Sequence, residues 1–234
     1  MSLMTNWMVV RARSLLRTTG AIRIVAPFVK RRDYEGKFAG SLRQAVSAGD
    51  IVWDVGANVG YYTVQFADWV GSTGRVYAFE PSPTNLARLN LRCGQRSNIV
   101  IFPVGLSDGT RRTKFQDGDD ELGATSRIAA EDSEDGGRLH DIQLRSGDDL
   151  LSGGDVKPPT IMKIDVEGHE LQVLRGLRTT LSNPSLRNVF IEVHFSILER
   201  SGQIDAPRII EADLRASGFT LDWIDSSHLH GSRR

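Results

Sequence analysis

The sequence is poor in the features that would narrow its class at once. Its single cysteine, Cys93, excludes an intrachain disulfide framework and a cysteine-ligated zinc site. No apolar run approaches the ~18–20 residues that a membrane-spanning helix needs. Neither charge is in excess, with 29 Lys and Arg against 29 Asp and Glu. A general nucleic-acid binder is basic overall, so nucleic acid is not an expected partner. The G-x-G-x-x-G run of dinucleotide enzymes is also missing. What remains is a chain of 234 residues, 40% hydrophobic and 25% charged. That is the composition of a soluble globular protein and the size of one large α/β domain. The expectation is a cytoplasmic protein whose function must be read from its motifs.

The first forty residues stand apart. Arg11, Arg13, Arg17, Arg23, Lys30, Arg31, Arg32 and Lys37 face only Asp33 and Glu35, and apolar residues such as Trp7, Leu15, Ile22 and Phe28 are interleaved. One reading is a basic amphipathic helix in residues 1–32, lying peripherally on an anionic inner membrane. The plainer and preferred reading is a helix packed on the domain with its arginines in water. The arginines interrupt the apolar stretch, which does not read as a secretory signal.

Beyond residue 40 strands and helices alternate. Ile51–Val55, Arg75–Glu80, Asn98–Phe102, Thr160–Asp165, Asn188–His194 and Phe219–Ile224 are short apolar runs that read as strands. Tyr61–Val70, Pro83 to about Leu91, Leu171–Leu181 and Ala206–Ala216 read as helices, with Ser82 as a cap and Pro83 at the first helical position. Such alternation predicts parallel βαβ units with helices on both faces of the sheet. The stretch 103–157 interrupts the pattern and is rich in Gly, Asp, Glu and Ser. Two strand-like pieces survive in it, Arg112–Phe115 and Asp141–Arg145. The expected organisation is a basic helical segment over 1–40, one catalytic-size domain over 41–225 carrying that insertion, and a tail over 226–234.

The strongest local signal is Asp54-Val55-Gly56-Ala57-Asn58-Val59-Gly60-Tyr61-Tyr62-Thr63, between a buried strand and a helix. Gly56 permits a tight turn, and Gly60 permits either close helix packing or close approach of a ligand. Asp54 at the strand end would repel phosphates but attract an ammonium group. This favours a ligand that joins a nucleoside to an amino acid. Glu80 ends the next strand, where a carboxylate can accept hydrogen bonds from both ribose hydroxyls. The loop Val104-Gly105-Leu106-Ser107-Asp108-Gly109 would lie beside the base, although Asp-Gly is also a common turn pair.

These runs, together with Phe79-Glu80-Pro81-Ser82-Pro83 and above all Ile164-Asp165-Val166-Glu167-Gly168-His169-Glu170, resemble the FkbM-type S-adenosylmethionine-dependent methyltransferases over about residues 50–195. The resemblance implies an α/β, Rossmann-like class I methyltransferase fold: a doubly wound, mostly parallel sheet with helices on both faces. It implies S-adenosylmethionine as cofactor and O-methylation of a sugar, glycolipid or polyketide-like natural product. The cofactor contacts it suggests are Asp54, Gly56, Ala57, Asn58, Gly60, Tyr62, Thr63, Glu80, Pro81, Leu106, Ser107 and Asp165. It also suggests Gly123-Ala124-Thr125-Ser126 as a loop near the active site, and a Leu where Gly147 stands. So little chain follows the sixth strand that a seventh is hard to supply, and the N-terminal segment or the insertion is the expected substitute.

A sugar hydroxyl keeps its proton at neutral pH, so a general base or a metal must handle it. Asp165, Glu167, Glu192 and His194 lie at the ends of the fourth and fifth strands and are the catalytic candidates. His194 or Asp165 is the expected base, and the same four residues are candidate ligands for Mg²⁺. Glu170 is explained by the helix dipole alone. His169 is balanced between a surface position and the substrate pocket. His228-Leu229-His230 resembles a metal-binding pair but fits a flexible tail better. Two other classes stay open: a Rossmann-like oxidoreductase, against which Asp54 and the missing fingerprint argue, and a nucleoside-binding protein without chemistry.

Overall fold

The computed structural model describes residues 27–116, 127–128 and 139–233. The loop Gly123–Ser126 and most of the segment offered as a membrane contact lie outside these residues. No described helix is long and apolar enough to cross a membrane. The chain divides into two compact units, Met1–Ser41 and Leu42–Arg234, and everything below concerns the second. Helix α1, Pro27–Ala45, runs through the expected boundary at residue 40.

The alternation read from the sequence becomes β1 (Ile51–Val55), α2 (Tyr61–Val70), β2 (Arg75–Phe79), α3 (Pro83–Cys93) and β3 (Ile99–Phe102). The insertion supplies β4 (Gly105–Leu106), β5 (Arg111–Gln116), β6 (Arg127–Ile128), β7 (Leu139–Arg145) and α4 (Gly147–Ser152). Then follow β8 (Ile161–Ile164), α5 (Glu170–Arg175), α6 (Arg178–Ser182), β9 (Asn188–Glu192), α7 (Phe195–Arg200), α8 (Ala206–Ala216), β10 (Thr220–Trp223) and β11 (His228–Ser232). The main sheet has seven strands in the order β10-β11-β9-β8-β1-β2-β3. β3, β2, β1, β8 and β9 are mutually parallel, so their carboxyl ends share one edge.

The central strands are apolar because both of their faces are covered. Trp53, Val55, Phe79, Met162, Ile164, Val189 and Ile191 join one core cluster. Helix α8 adds Ala206, Ile210 and Leu214, one apolar stripe at helical spacing. The insertion folds as a separate four-stranded sheet, β4-β7-β5-β6, over a small cluster of Phe115, Ile142 and Leu144. Its two longest strands contain the two strand-like pieces read from the sequence.

Three expectations are corrected. The residues assigned to a tail form β11, the seventh strand, which inserts antiparallel between β9 and β10. The run has no β-branched residue, and its strand character comes from pairing on both sides with Leu229 fully buried. Arg233 then fastens the end, donating to the carbonyls of Leu181, Asn183, Leu186 and Ser217 while stacking on Phe219. The helix expected over 171–181 is two helices, because the Asp148 carboxylate accepts the N–H groups of Thr179 and Thr180 and restarts the chain there. A Leu has no room at Gly147, where even a Cβ would lie 2.4 Å from Leu177 Cδ2 and 3.1 Å from the Trp53 ring.

Candidate active site

The sheet's carboxyl edge gathers two groups of side chains. The first is the turn after β1. Gly56 sits at φ +76°, and a Cβ there would lie 1.8 Å from the Asp165 carbonyl oxygen. Only glycine lets the ends of β1 and β8 approach this closely. Gly60 is excluded from substitution by Leu89 and Cys93 of α3 rather than by a ligand, which decides between its two readings in favour of helix packing. The N–H groups of Gly56 and Ala57 both donate to the Phe79 carbonyl, tying the turn to β2.

Glu80 follows β2 and is almost fully buried. One of its carboxylate oxygens accepts the Asn58 N–H at 2.8 Å and the other the Ser82 N–H at 2.8 Å. Burial pushes the Glu80 carboxyl up to about 7, against the lowering by those two N–H groups and by the Asn85 side chain. Ser82 caps α3 as expected, accepting from the Asn85 N–H. Pro81 is half-buried next to it. Asn58 stands at φ 50°, and its buried side-chain oxygen makes no hydrogen bond within the protein.

Asp54 is fully buried below the turn and accepts from the Thr63 hydroxyl at 2.6 Å. Thr63 is therefore a support for Asp54. The other Asp54 oxygen lies 3.3 Å from Lys163 Nζ without a hydrogen bond. Lys163, which sequence reasoning missed, occupies the register position opposite Asp54 on β8. It also reaches Asp165 at 3.4 Å, the Gly56 carbonyl at 3.2 Å and the Tyr62 ring at 5.5 Å. Burial opposes its charge, but the carboxylates of Asp54 and Asp165 outweigh burial and hold the ammonium above the ordinary lysine value. The available signal was a lysine in the middle of the apolar run Ile161–Ile164.

The second group surrounds His194. The ring is at the N-terminal boundary of α7, not on the strand as expected. Its Nδ1–H donates to Glu170 at 2.7 Å. Its Nε2 faces Glu167 at 3.4 Å, Asp165 at 3.7 Å and Glu192 at 3.9 Å. The four catalytic candidates thus converge. Glu170 is the second missed residue. It is fully buried, accepts from the Gly168 N–H and orients His194, so the helix dipole does not account for it. Glu167 is aimed by a left-handed backbone at φ 49°.

Burial opposes charge on His194, yet Glu167, Glu170 and Asp165 push it up to about 11. Burial raises Asp165, but Lys163 and His194 overcome it and hold the carboxyl low. Glu167 is raised by burial, with His194 working against the rise. These surroundings favour the imidazolium form of His194, and Glu167 stands beside it with its carboxyl raised by burial.

Leu106 and Ser107 lie in β4 and just after it, both buried. Ser107 Oγ is 2.9 Å from His169 Nε2, accepts from Arg111 and donates to Asp108. Burial and the Arg111 charge push His169 down to about 4, so its ring is neutral. This places His169 against the insertion rather than in the His194 group. His230 stacks on Phe190 at 4.2 Å and bonds Asn188, while His228 turns to Glu192, so the two do not form a metal pair.

The sequence model described as the methyltransferase FkbM domain matches residues 54–228. The hexuronic acid methyltransferase AglP of Haloferax volcanii is 32% identical over 157 residues, which is 67% of this chain and 61% of that protein. The 31-O-demethyl-FK506 methyltransferase FkbM of Streptomyces tacrolimicus is 29% identical over 206 residues, covering 74% of each. The crystal structure of methyltransferase FkbM from Methylobacillus flagellatus KT superposes with a TM-score of 0.51 at 18% identity, over 79% of this chain and 43% of that one. The chain accordingly spans about three fifths of the length of AglP. With the family model running from Asp54 in β1 to His228 in β11, the chain belongs to the FkbM methyltransferase family.

Proposed function

We propose that this protein transfers the methyl group of S-adenosylmethionine to a hydroxyl of a sugar-like acceptor. The observation that carries the reading is Lys163. It ties Asp54 and the Gly56 carbonyl, on the cofactor side, to Asp165, on the reacting side. The residues suit the cofactor. Glu80 already accepts the Asn58 and Ser82 N–H groups and the Asn85 amide, and its remaining lone pair suits a ribose hydroxyl. The unpartnered Asn58 oxygen is an acceptor suited to an ammonium group, and the Asp54 carboxylate beneath it, already facing Lys163, favours a cation there. Tyr62, Pro81, Leu106 and Ser107 belong to the same reading.

The cofactor supplies an activated methyl on a sulfonium. In the step, the acceptor oxygen forms the new C–O bond as the S–C bond breaks. The hydroxyl proton passes to a carboxylate, and S-adenosylhomocysteine leaves. Glu167 is the proton acceptor in this reading. Asp165, held low by Lys163 and His194, stays ionised and orients the hydroxyl. The carboxylates keep 23% to 32% of their side-chain surface open, enough for an acceptor to reach them. Alignment of the nucleophile and exclusion of water supply several kcal/mol of the barrier.

A hydroxyl on a sugar or natural product is supported by the names of the two relatives, a hexuronic acid methyltransferase and a 31-O-demethyl-FK506 methyltransferase. Asp165, Glu167 and His194 offer three donor atoms within 4.8 Å of one another. Nδ1 of His194 is already engaged by Glu170, and the step is derived through these side chains rather than through a metal ion. The test is methyl transfer to uronic acids, neutral sugars and polyketide alcohols, with Mg²⁺ or with EDTA. Transfer to a hydroxyl that persists in EDTA is the expected result. Tight binding of the cofactor with no methylation of any hydroxyl acceptor would sink the proposal.

A further inference from the structure

We propose that the C-terminal hairpin completes the active site: His228, held by Asp225, is a positioning residue for Glu192 and through it for the group around His194. Its kinetic arm rests on the methyl-transfer reading; its geometry does not. The register of β11 against β9 sets His228 opposite Glu192. Asp225, in the turn before β11, accepts the Ser227 N–H at 2.8 Å, the His228 N–H at 2.9 Å and the ring Nδ1–H at 2.7 Å. With Nδ1 committed, Nε2 faces a Glu192 oxygen at 3.4 Å. The other Glu192 oxygen lies 3.9 Å from His194 Nε2. Glu192 therefore spans two imidazoles.

Both members of the Asp225–His228 pair are buried, with side chains 6% and 11% exposed. A strand that served only to complete the sheet would need no buried charge there, since burial of charge is costly unless paired. The titratable groups that act on or feel His228 are Asp225 from the turn, Glu192 from β9 and Asp165 after β8. Burial opposes charge on His228, but Glu192 and Asp225 overcome it and raise the ring above its ordinary value. That positive charge is one of those holding the Asp165 carboxyl low.

Two variants separate positioning from folding. His228→Asn keeps a donor for Asp225 but withdraws from Glu192; His228→Gln keeps the reach to Glu192. His228→Asn should melt and bind S-adenosylhomocysteine as the native protein does, while kcat falls roughly 10–100-fold, the scale of a small misplacement of reacting groups. The acid limb of the kcat/KM profile should move to higher pH, because the carboxylates lose a neighbouring cation. His228→Gln should recover part of the rate. An unchanged rate and profile in folded His228→Asn would overturn the proposal.

A second measurement does not depend on turnover. The five histidine rings can be titrated by NMR. The His228 midpoint should lie above ~6.5 and fall toward it in Glu192→Gln. An unmoved midpoint would overturn the proposal, and this result decides alone if His228→Asn does not fold. A native protein without any methyl transfer defeats the functional reading and leaves the titration to judge the geometry.

Discussion

Cofactor binding should depend on pH through Glu80, and the size of the effect follows from its surroundings. The carboxyl rises from 4.5 to about 7 because it is buried with only two N–H groups and one amide to hold its charge. That rise is worth about 3 kcal/mol against the ionised form in the free protein. With respect to this group, the free fold is most stable below its unfolded value of 4.5 and loses that advantage as the pH climbs through 7. A ribose diol needs the ionised form, since a carboxylate accepts through both oxygens and an acid does not. Affinity should therefore be flat above pH ~8 and weaken by up to tenfold per pH unit below pH ~7, roughly 30-fold between pH 8 and pH 5.5. The assay is calorimetry with 5′-methylthioadenosine, which has the ribose and lacks the titrating α-amino group. Two buffers of different ionisation heat would report the released proton directly. Glu80→Gln should bind more weakly and lose the pH dependence. The same slope in Glu80→Gln, or no slope in the native protein below pH 7, would refute the reasoning.

Three further outcomes follow from the same contacts. Glu170→Gln removes the charge that orients the His194 ring and should lower kcat roughly 10–100-fold while leaving the affinity for S-adenosylhomocysteine intact; steady-state kinetics beside calorimetry would check this, and an unchanged kcat would contradict it. Lys163→Met leaves Asp54 buried and unpaired and should cost about 3–5 kcal/mol by urea denaturation, with Asp54→Asn in the same chain recovering part of it. Arg233→Ala leaves four carbonyls without their donor and should lower stability by about 2–4 kcal/mol in thermal melts; a melt like that of the native protein would show that β11 is held by its strand partners alone.

How far the sequence carries depends on the range of each interaction. Tyr61–Val70 and Ala206–Ala216 are readable to the residue because their apolar spacing and flanking residues are local. β1, β2, β8 and β9 are readable as central strands because burial on both faces demands continuous apolar runs. The glycine turn and Glu80 are legible for the same reason, as a turn and a carboxylate must sit at the ends of such strands. The convergence of Asp165, Glu167, Glu192 and His194 also follows, since their strands are neighbours in a parallel sheet.

The tertiary structure alone decides what depends on distant partners. Nothing in Ser226–Arg234 announces a strand; β9 and β10 make it one by taking both of its edges. Lys163 reads as a stray charge until register places it opposite Asp54. Glu170 reads as a helix-start acid until the turn buries it under His194. His194 looks like a free base until four carboxylates surround it and favour its protonated form. The strand depends on ladder partners and the other three on charge pairing, and neither, unlike hydrophobic periodicity, leaves a repeat along the sequence.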